Sequence, residues 1–253
     1  MILNKLINKK MSDVTLKKAL YLATVLENIN KHEDAMKCME EIVKSKKNDL
    51  SIEEINLFSI TYGNFIKKKQ NQIKVLNKVI SNDEKTNSKF KKIDTNLREV
   101  IKREIGEICN KVINFCDNYL LNKSEKKETK VLYLKIKAEF YRTLADILEE
   151  NQKKDSTEKA INFYKEAYEL TDSLSTTNPI KLGLSLYYAI FHYEFLDDVE
   201  NALKICQENY ELGIHQLDKV NDNQEYKSAS SILMLMKENI DMWKKEIESN
   251  NEE

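Results

Sequence analysis

Glycine and proline are scarce in this 253-residue chain, at four and one. Hairpins and tight turns need those residues, so their scarcity excludes a strand-rich fold and points to long helices joined by short polar loops. Arginine is nearly as rare, being confined to Arg98, Arg103 and Arg142. Lysine suffices on a solvated surface, so each arginine raises the question of what its planar fork supplies. A charge excess of one sign is also missing: the net charge is −1, which excludes a basic surface tracking nucleic-acid phosphates. No apolar run approaches a membrane span, and MILNKLINKK at the N-terminus has too short an apolar run for a signal peptide. Cytoplasm is therefore the expected compartment, with the nucleus as a further one. Cys38, Cys109, Cys116 and Cys206 form no C-x-x-C pair and fall on apolar helical faces, as buried reduced thiols do. There is no Gly-rich phosphate loop, no H-E-x-x-H and no nucleophile elbow. His32, His192 and His215 lie on different segments without metal-ligand spacing. No enzyme activity, metal or cofactor is expected.

What is present is a chain 33% charged and 41% hydrophobic, a globular composition. Apolar positions recur at three- and four-residue spacing almost throughout. Polar breaks divide them into nine helices, at about 14–30, 33–46, 51–80, 92–121, 129–150, 156–174, 179–196, 198–217 and 222–246. Ser51 followed by Glu54 reads as a capping box opening the third helix. Ser156 reads as the cap of the sixth, and Asn178-Pro179 as the start of the seventh. The stretch 81–90 reads as a polar connector. The expected architecture is all-α, with nine antiparallel helices forming an amphipathic groove in a single domain over 13–246, an N-terminal extension over 1–12 and an acidic disordered tail over 247–253. On the last helix Tyr226, Ala229, Leu233, Met236, Ile240 and Trp243 form one stripe. Ile232, Leu235, Asn239 and Met242 form a second beside it. One buried face needs a single stripe; the second either lines a groove or packs on another neighbour. A tetratricopeptide-like scaffold is the runner-up, because AINFY (160–164) and ALKIC (202–206) open similar helices ending in Tyr-Glu-Leu. The pattern does not recur elsewhere, and helices three and four are too long for such an array.

Several segments resemble the 14-3-3 family, dimeric nine-helix proteins that bind phosphoserine and phosphothreonine peptides. NPIKLGLSLYYAIFHYEFL (178–196), LYLKIKAEFYRTLADIL (132–148) and ILMLMKENIDMW (232–243) carry the resemblance. EDAMKCM (33–39), NLFSITYGN (56–64) and EICNKV (107–112) add to it. The resemblance implies an adaptor in which a phosphate pocket combines a Lys and an Arg on helix three with an Arg-Tyr pair on helix five. Bidentate forks and a phenol donor suit a dianion with three acceptor oxygens. This chain keeps Arg142, whereas Thr143 replaces the Tyr, Gly63 the Lys and Gln70 the third-helix Arg. Tyr187 replaces an Asn that holds peptide backbone. Losing two charged partners at about 1.5–3 kcal/mol each would cost two to four decades of affinity. Lys69 and Lys74 are the candidate replacements, against the plainer reading of Lys67, Lys68, Lys69 and Lys74 as a solvated face. Arg142 has a plainer reading too, paired with Glu139 or Asp146 on its own helix.

The peptide-lining positions that the resemblance implies are Lys135, Leu186, Ile190, Glu194, Ile232, Leu235, Asn239 and Trp243; Ser231 replaces a family Leu. Its dimer contacts fall on Val25, Ile29, Lys31, Asp34, Leu97 and Glu104, with Lys31 and Glu104 pairing between subunits and Val100 standing where the partner of Asp34 would be. The expected partners are phosphorylated or acidic peptide segments of client proteins, and a second subunit that is either this chain or another 14-3-3 protein, with no nucleic acid and no membrane. Two alternatives stay open: a groove that takes acidic or unphosphorylated peptides, and a modulatory subunit pairing with a conventional family member.

Overall fold

The computed structural model describes residues 13–86 and 89–251. Among them are nine α-helices and no strand: α1 Asp13–Asn28, α2 His32–Ser45, α3 Ile52–Thr86, α4 Lys91–Phe115, α5 Lys127–Ile147, α6 Glu150–Leu170, α7 Pro179–Leu196, α8 Val199–Leu217 and α9 Asn223–Asn251. The all-α expectation and the count of nine hold.

Local chemistry sets the boundaries. The capping box forms as read: Glu54 accepts from the Ser51 N–H at 2.7 Å, and Ser51 Oγ accepts from the Glu54 N–H at 3.3 Å. Asn178 caps α7 by accepting from the Ile180 N–H at 2.9 Å, with Pro179 in the first turn. The scarcity of glycine is met differently from expectation at three corners. Asn30, Glu150 and Asp197 adopt the left-handed conformation (φ 59°, 47° and 53°), and none of the four glycines does. Such a turn costs a non-glycine residue roughly 1–2 kcal/mol.

Three sequence boundaries shift. The polar stretch after residue 80 continues α3 to Thr86, since it holds neither glycine nor proline to break the helix. The sixth helix starts at Glu150, not at Ser156, which is buried inside it. Residues 150–155 are all exposed, so no apolar stripe announces that first turn. The last helix runs to Asn251, past its expected end at 246, so most of the expected disordered tail is helical. The extension 1–12 lies outside the described residues, as do Glu252 and Glu253.

Within the span 13–246 expected as one domain, the helices group into two compact units. The first runs to Glu125 and takes in Glu139–Ser156; the second comprises Lys126–Ala138 and the chain from Thr157. In the first, α1 packs on α2, α2 on α3 and α3 on α4. Its core includes Met39, Ile42, Ile55, Phe58, Tyr62, Ile105 and Phe115. Phe58, Tyr62 and Phe115 form a ring cluster with centroids 4.8–6.4 Å apart. In the second, α7, α8 and α9 pack on one another around Leu182, Leu186, Cys206, Leu233, Met236 and Trp243. All four cysteines are buried and unbridged, as read from the sequence.

A candidate anion pocket and an open peptide-facing stripe

Burial of Phe58, Tyr62, Phe65 and Ile66 fixes which way α3 faces. The rotation is reinforced by Glu27, which accepts from Asn64 Nδ2 at 2.6 Å and stands 2.9 Å from His32 Nδ1. Ser59, Gly63, Lys67, Gln70 and Lys74 then share one side, all within about 40° of Gly63 at 100° per residue. On α5, burial of Phe140, Leu144 and Ala145 leaves Glu139, Arg142 and Thr143 beside that side. Together with Asn71 these residues line a pocket of about 330 Å³ within the first unit.

The pocket brings Arg142, Lys74 and Thr143 together with Gly63 and Gln70, and adds Lys67, Ser59 and Asn71. Lys69 is not among them. It sits about 120° round the helix from Gly63 and bonds Glu104 on α4 at 2.5 Å. Lys67 is the cation that the sequence reading passed over in favour of Lys69. Its signal was available, since Gly63, Lys67, Gln70 and Lys74 follow four-, three- and four-residue steps. Thr143 Oγ1 donates its single proton to the Glu139 carbonyl at 2.9 Å. In this rotamer it offers an anion only lone pairs, unlike a phenol. The directed donors are thus the half-buried Arg142, two exposed lysines and two carboxamides.

Gly63 has no packing reason. A Cβ added there meets nothing within 4 Å, whereas at Gly213 it would stand 2.9 Å from Leu233 and 3.3 Å from the Thr176 carbonyl. A glycine in a helix interior costs about 1 kcal/mol against alanine.

In the second unit the two stripes on α9 separate as read. Ala229, Leu233, Met236, Ile240 and Trp243 are buried, while Leu235 and Met242 are exposed and Ile232 and Asn239 half-buried. Tyr226 leaves its stripe and is 40% exposed. Of the peptide-lining candidates, Leu186 and Trp243 are core residues; Trp243 is fully buried against Tyr193. Ile190 is half-buried and Glu194 exposed. Lys135 Nζ lies 3.7 Å over the Tyr187 ring, a cation–π contact. Asn239 donates to the Leu235 carbonyl on its own helix at 2.8 Å, and Ser231 to that of Lys227 at 2.9 Å. A further pocket of about 650 Å³ lies at Ser175–Thr177 and Gln216–Glu225, with Lys219, Asp222 and Glu225 among its lining residues. His192 is buried with Nδ1 3.2 Å from Asp198 Oδ2.

The dimer candidates lie in the first unit. Leu97 and Val100 are exposed on α4 and, with Val75, Leu76, Ile101, Lys69 and Glu104, line a cleft of about 570 Å³ between α3 and α4. On α1, Val14 and Tyr21 are exposed and Val25 half-buried, and Ile29 just past its end is exposed. Glu104 is engaged by Lys69 within the chain, Asp34 by Lys37 at 3.0 Å, and Lys31 is exposed. Among the described residues no cluster of His, Cys, Asp and Glu could hold a metal, and no helix is long and apolar enough to cross a membrane.

The family model that matches the chain is "14-3-3 protein", over residues 22–244. Similar proteins include the 14-3-3-like protein D of Nicotiana tabacum, 29% identical over 95% of this chain and 98% of its own length. A 14-3-3 protein homolog of Trichoderma harzianum is 31% identical over 89% and 86%. The 14-3-3 protein beta/alpha of Gallus gallus is 30% identical over 88% and 91%. With the family model spanning most of nine helices in this order, the chain belongs to the 14-3-3 family.

Proposed function

We propose that this family member binds phosphorylated segments of client proteins through the pocket lined by Arg142, Lys67 and Lys74. Family membership carries the coarser statement by itself: the chain is a non-enzymatic adaptor or regulatory protein that binds client proteins. The observation that carries the finer reading is the meeting of three cations from two helices in one 330 Å³ pocket. Guanidinium forks and ammonium groups are the chemistry that meets a phosphate dianion. The second stripe of α9 supports the peptide part of the reading, since Leu235 and Met242 are exposed apolar residues with the half-buried Asn239 carboxamide between them. Fluorescence polarisation of a phosphorylated peptide against its unmodified twin tests the proposal. The phosphorylated form should bind at least tenfold tighter, and equal affinity would refute it.

The reading includes self-association. The apolar cleft between α3 and α4 and the exposed apolar ridge of α1 lie on the same unit. Two such surfaces on one chain suit a symmetric pair in which each ridge enters the partner's cleft. Light scattering on the purified protein reads the mass directly, and a monomer at tens of micromolar protein would rule this part out.

A further inference from the structure

We infer that the pocket at Gly63 is shaped for phosphotyrosine in preference to the shorter phosphoserine and phosphothreonine. The inference rests on the anion-binding reading given above. Glycine is unfavourable inside a helix because it loses the most conformational freedom on folding. Of the other three glycines, only Gly213 has a neighbour that accounts for it; Gly63 differs from Gly106 and Gly183 in standing on a pocket wall with open space beside it. At Gly213 a Cβ would collide with Leu233, and at Gly106 and Gly183 it would touch Ile147 and Ile232 at 3.7 and 3.9 Å. Gly63 is exposed, has no positive φ and has nothing within 4 Å of an added Cβ. What its missing side chain leaves is open room on the pocket wall and bare backbone that a ligand can approach.

The remaining lining sorts by chemistry. Ile66 and Phe140 are buried apolar residues, and Lys67, Lys74 and Arg142 are cations. Along α3 the pocket side passes from Ser59 through bare Gly63 to Lys67, Gln70 and Lys74. A phosphoserine has one carbon between backbone and ester oxygen, and so has nothing to set against Gly63, Ile66 and Phe140. Phosphotyrosine carries a flat ring first and a dianion at its far end. Its ring fits the room at Gly63 while its phosphate meets the guanidinium and ammonium groups. The volume of about 330 Å³ is at the lower end of pockets that hold small organic groups, roughly 300–1,000 Å³. It is generous for one carbon and a phosphate.

The test uses four fluorescent peptides of one sequence, carrying phosphotyrosine, phosphoserine, tyrosine or serine at the centre. They are titrated into the full chain and into Gly63→Ala and Gly63→Leu. Both substitutions favour the helix, and thermal unfolding checks that the variants fold. The wild type should bind the phosphotyrosine peptide at least tenfold tighter than the phosphoserine one. Gly63→Leu should weaken phosphotyrosine binding at least tenfold and phosphoserine binding by a clearly smaller factor. A wild type that holds phosphoserine as tightly as phosphotyrosine, or a Gly63→Leu loss equal for both, overturns the inference while leaving the anion pocket standing. If neither phosphorylated peptide outbinds its unmodified twin, the anion reading itself fails and takes this inference with it.

Discussion

Four single substitutions, Arg142→Ala, Lys74→Ala, Lys69→Ala and Thr143→Val, should weaken phosphopeptide binding to graded extents that the geometry fixes in advance. Arg142 is half-buried in the pocket, so the bonds of its fork to a phosphate count at the charged value of about 1.5–3 kcal/mol. Its removal should weaken binding about tenfold to a hundredfold. Lys74 lines the same pocket but is exposed. Solvent and salt reduce such a charge to about 0.2–1 kcal/mol, a loss of at most about fivefold. Lys69 is turned towards Glu104 in the other cleft, so Lys69→Ala should leave affinity within about twofold. Thr143 already spends its proton on the Glu139 carbonyl, and Thr143→Val should also fall within about twofold. Fluorescence polarisation at low and raised salt reads all four, and only the Lys74 loss should shrink markedly as salt screens exposed charge. A loss at Lys69 equal to that at Arg142, or a tenfold loss at Thr143, would refute the assignment of donors.

Gly63→Ala should raise stability by about 0.5–1 kcal/mol, whereas Gly213→Ala should lower it, since overpacking at about 1–3 kcal/mol outweighs the helical gain; urea midpoints that rise for both would contradict the close packing at Gly213. Leu97→Asp places a charge in the apolar cleft of α3 and α4 and should shift the protein to monomer by light scattering. Asp198 caps α8, accepting from Asn201 Nδ2 at 2.7 Å and its N–H at 3.1 Å, and the Asn201 bonds and the nearby His192 hold its carboxyl below the usual value. Its contribution is therefore present above the unfolded carboxylate range and lost as pH falls through the lowered value. Asp198→Ala should cost about 0.5–2 kcal/mol at neutral pH and flatten the acid limb of a denaturation series, and an unchanged limb would count against the cap. Burial pushes Cys206 up to about 12 and Cys109 higher still, so a thiol reagent at pH 8 should react slowly with the native protein and reach four thiols only after denaturation.

How much of this was legible in the sequence depended on whether the signal was local. Capping chemistry at Ser51, Glu54 and Asn178 is written in adjacent residues, and the structure keeps it. The double stripe of α9 was equally plain, because apolar spacing maps directly onto burial. The start of α6 was not, since residues 150–155 are solvated and carry no apolar period. The left-handed corners at Asn30, Glu150 and Asp197 leave no mark when glycine is absent. At the candidate pocket the sequence marked Arg142 through its rarity, but it chose Lys69 by proximity along the chain. Direction round a helix decides contact, and Lys67 is the lysine on the Gly63 side. That Leu186 is a core residue follows from packing across α7, α8 and α9, which no single segment displays, whereas Trp243 stands on the buried stripe of α9.

A double-mutant cycle between Arg142 and the phosphate tests the central claim most directly. Calorimetric titration would give the affinities of wild type and Arg142→Ala for one peptide with and without its phosphate. The pocket assignment predicts a coupling of at least about 1.5 kcal/mol, with the advantage of the phosphorylated form falling tenfold or more in the variant. An equal advantage in both proteins, and so a coupling near zero, would contradict it.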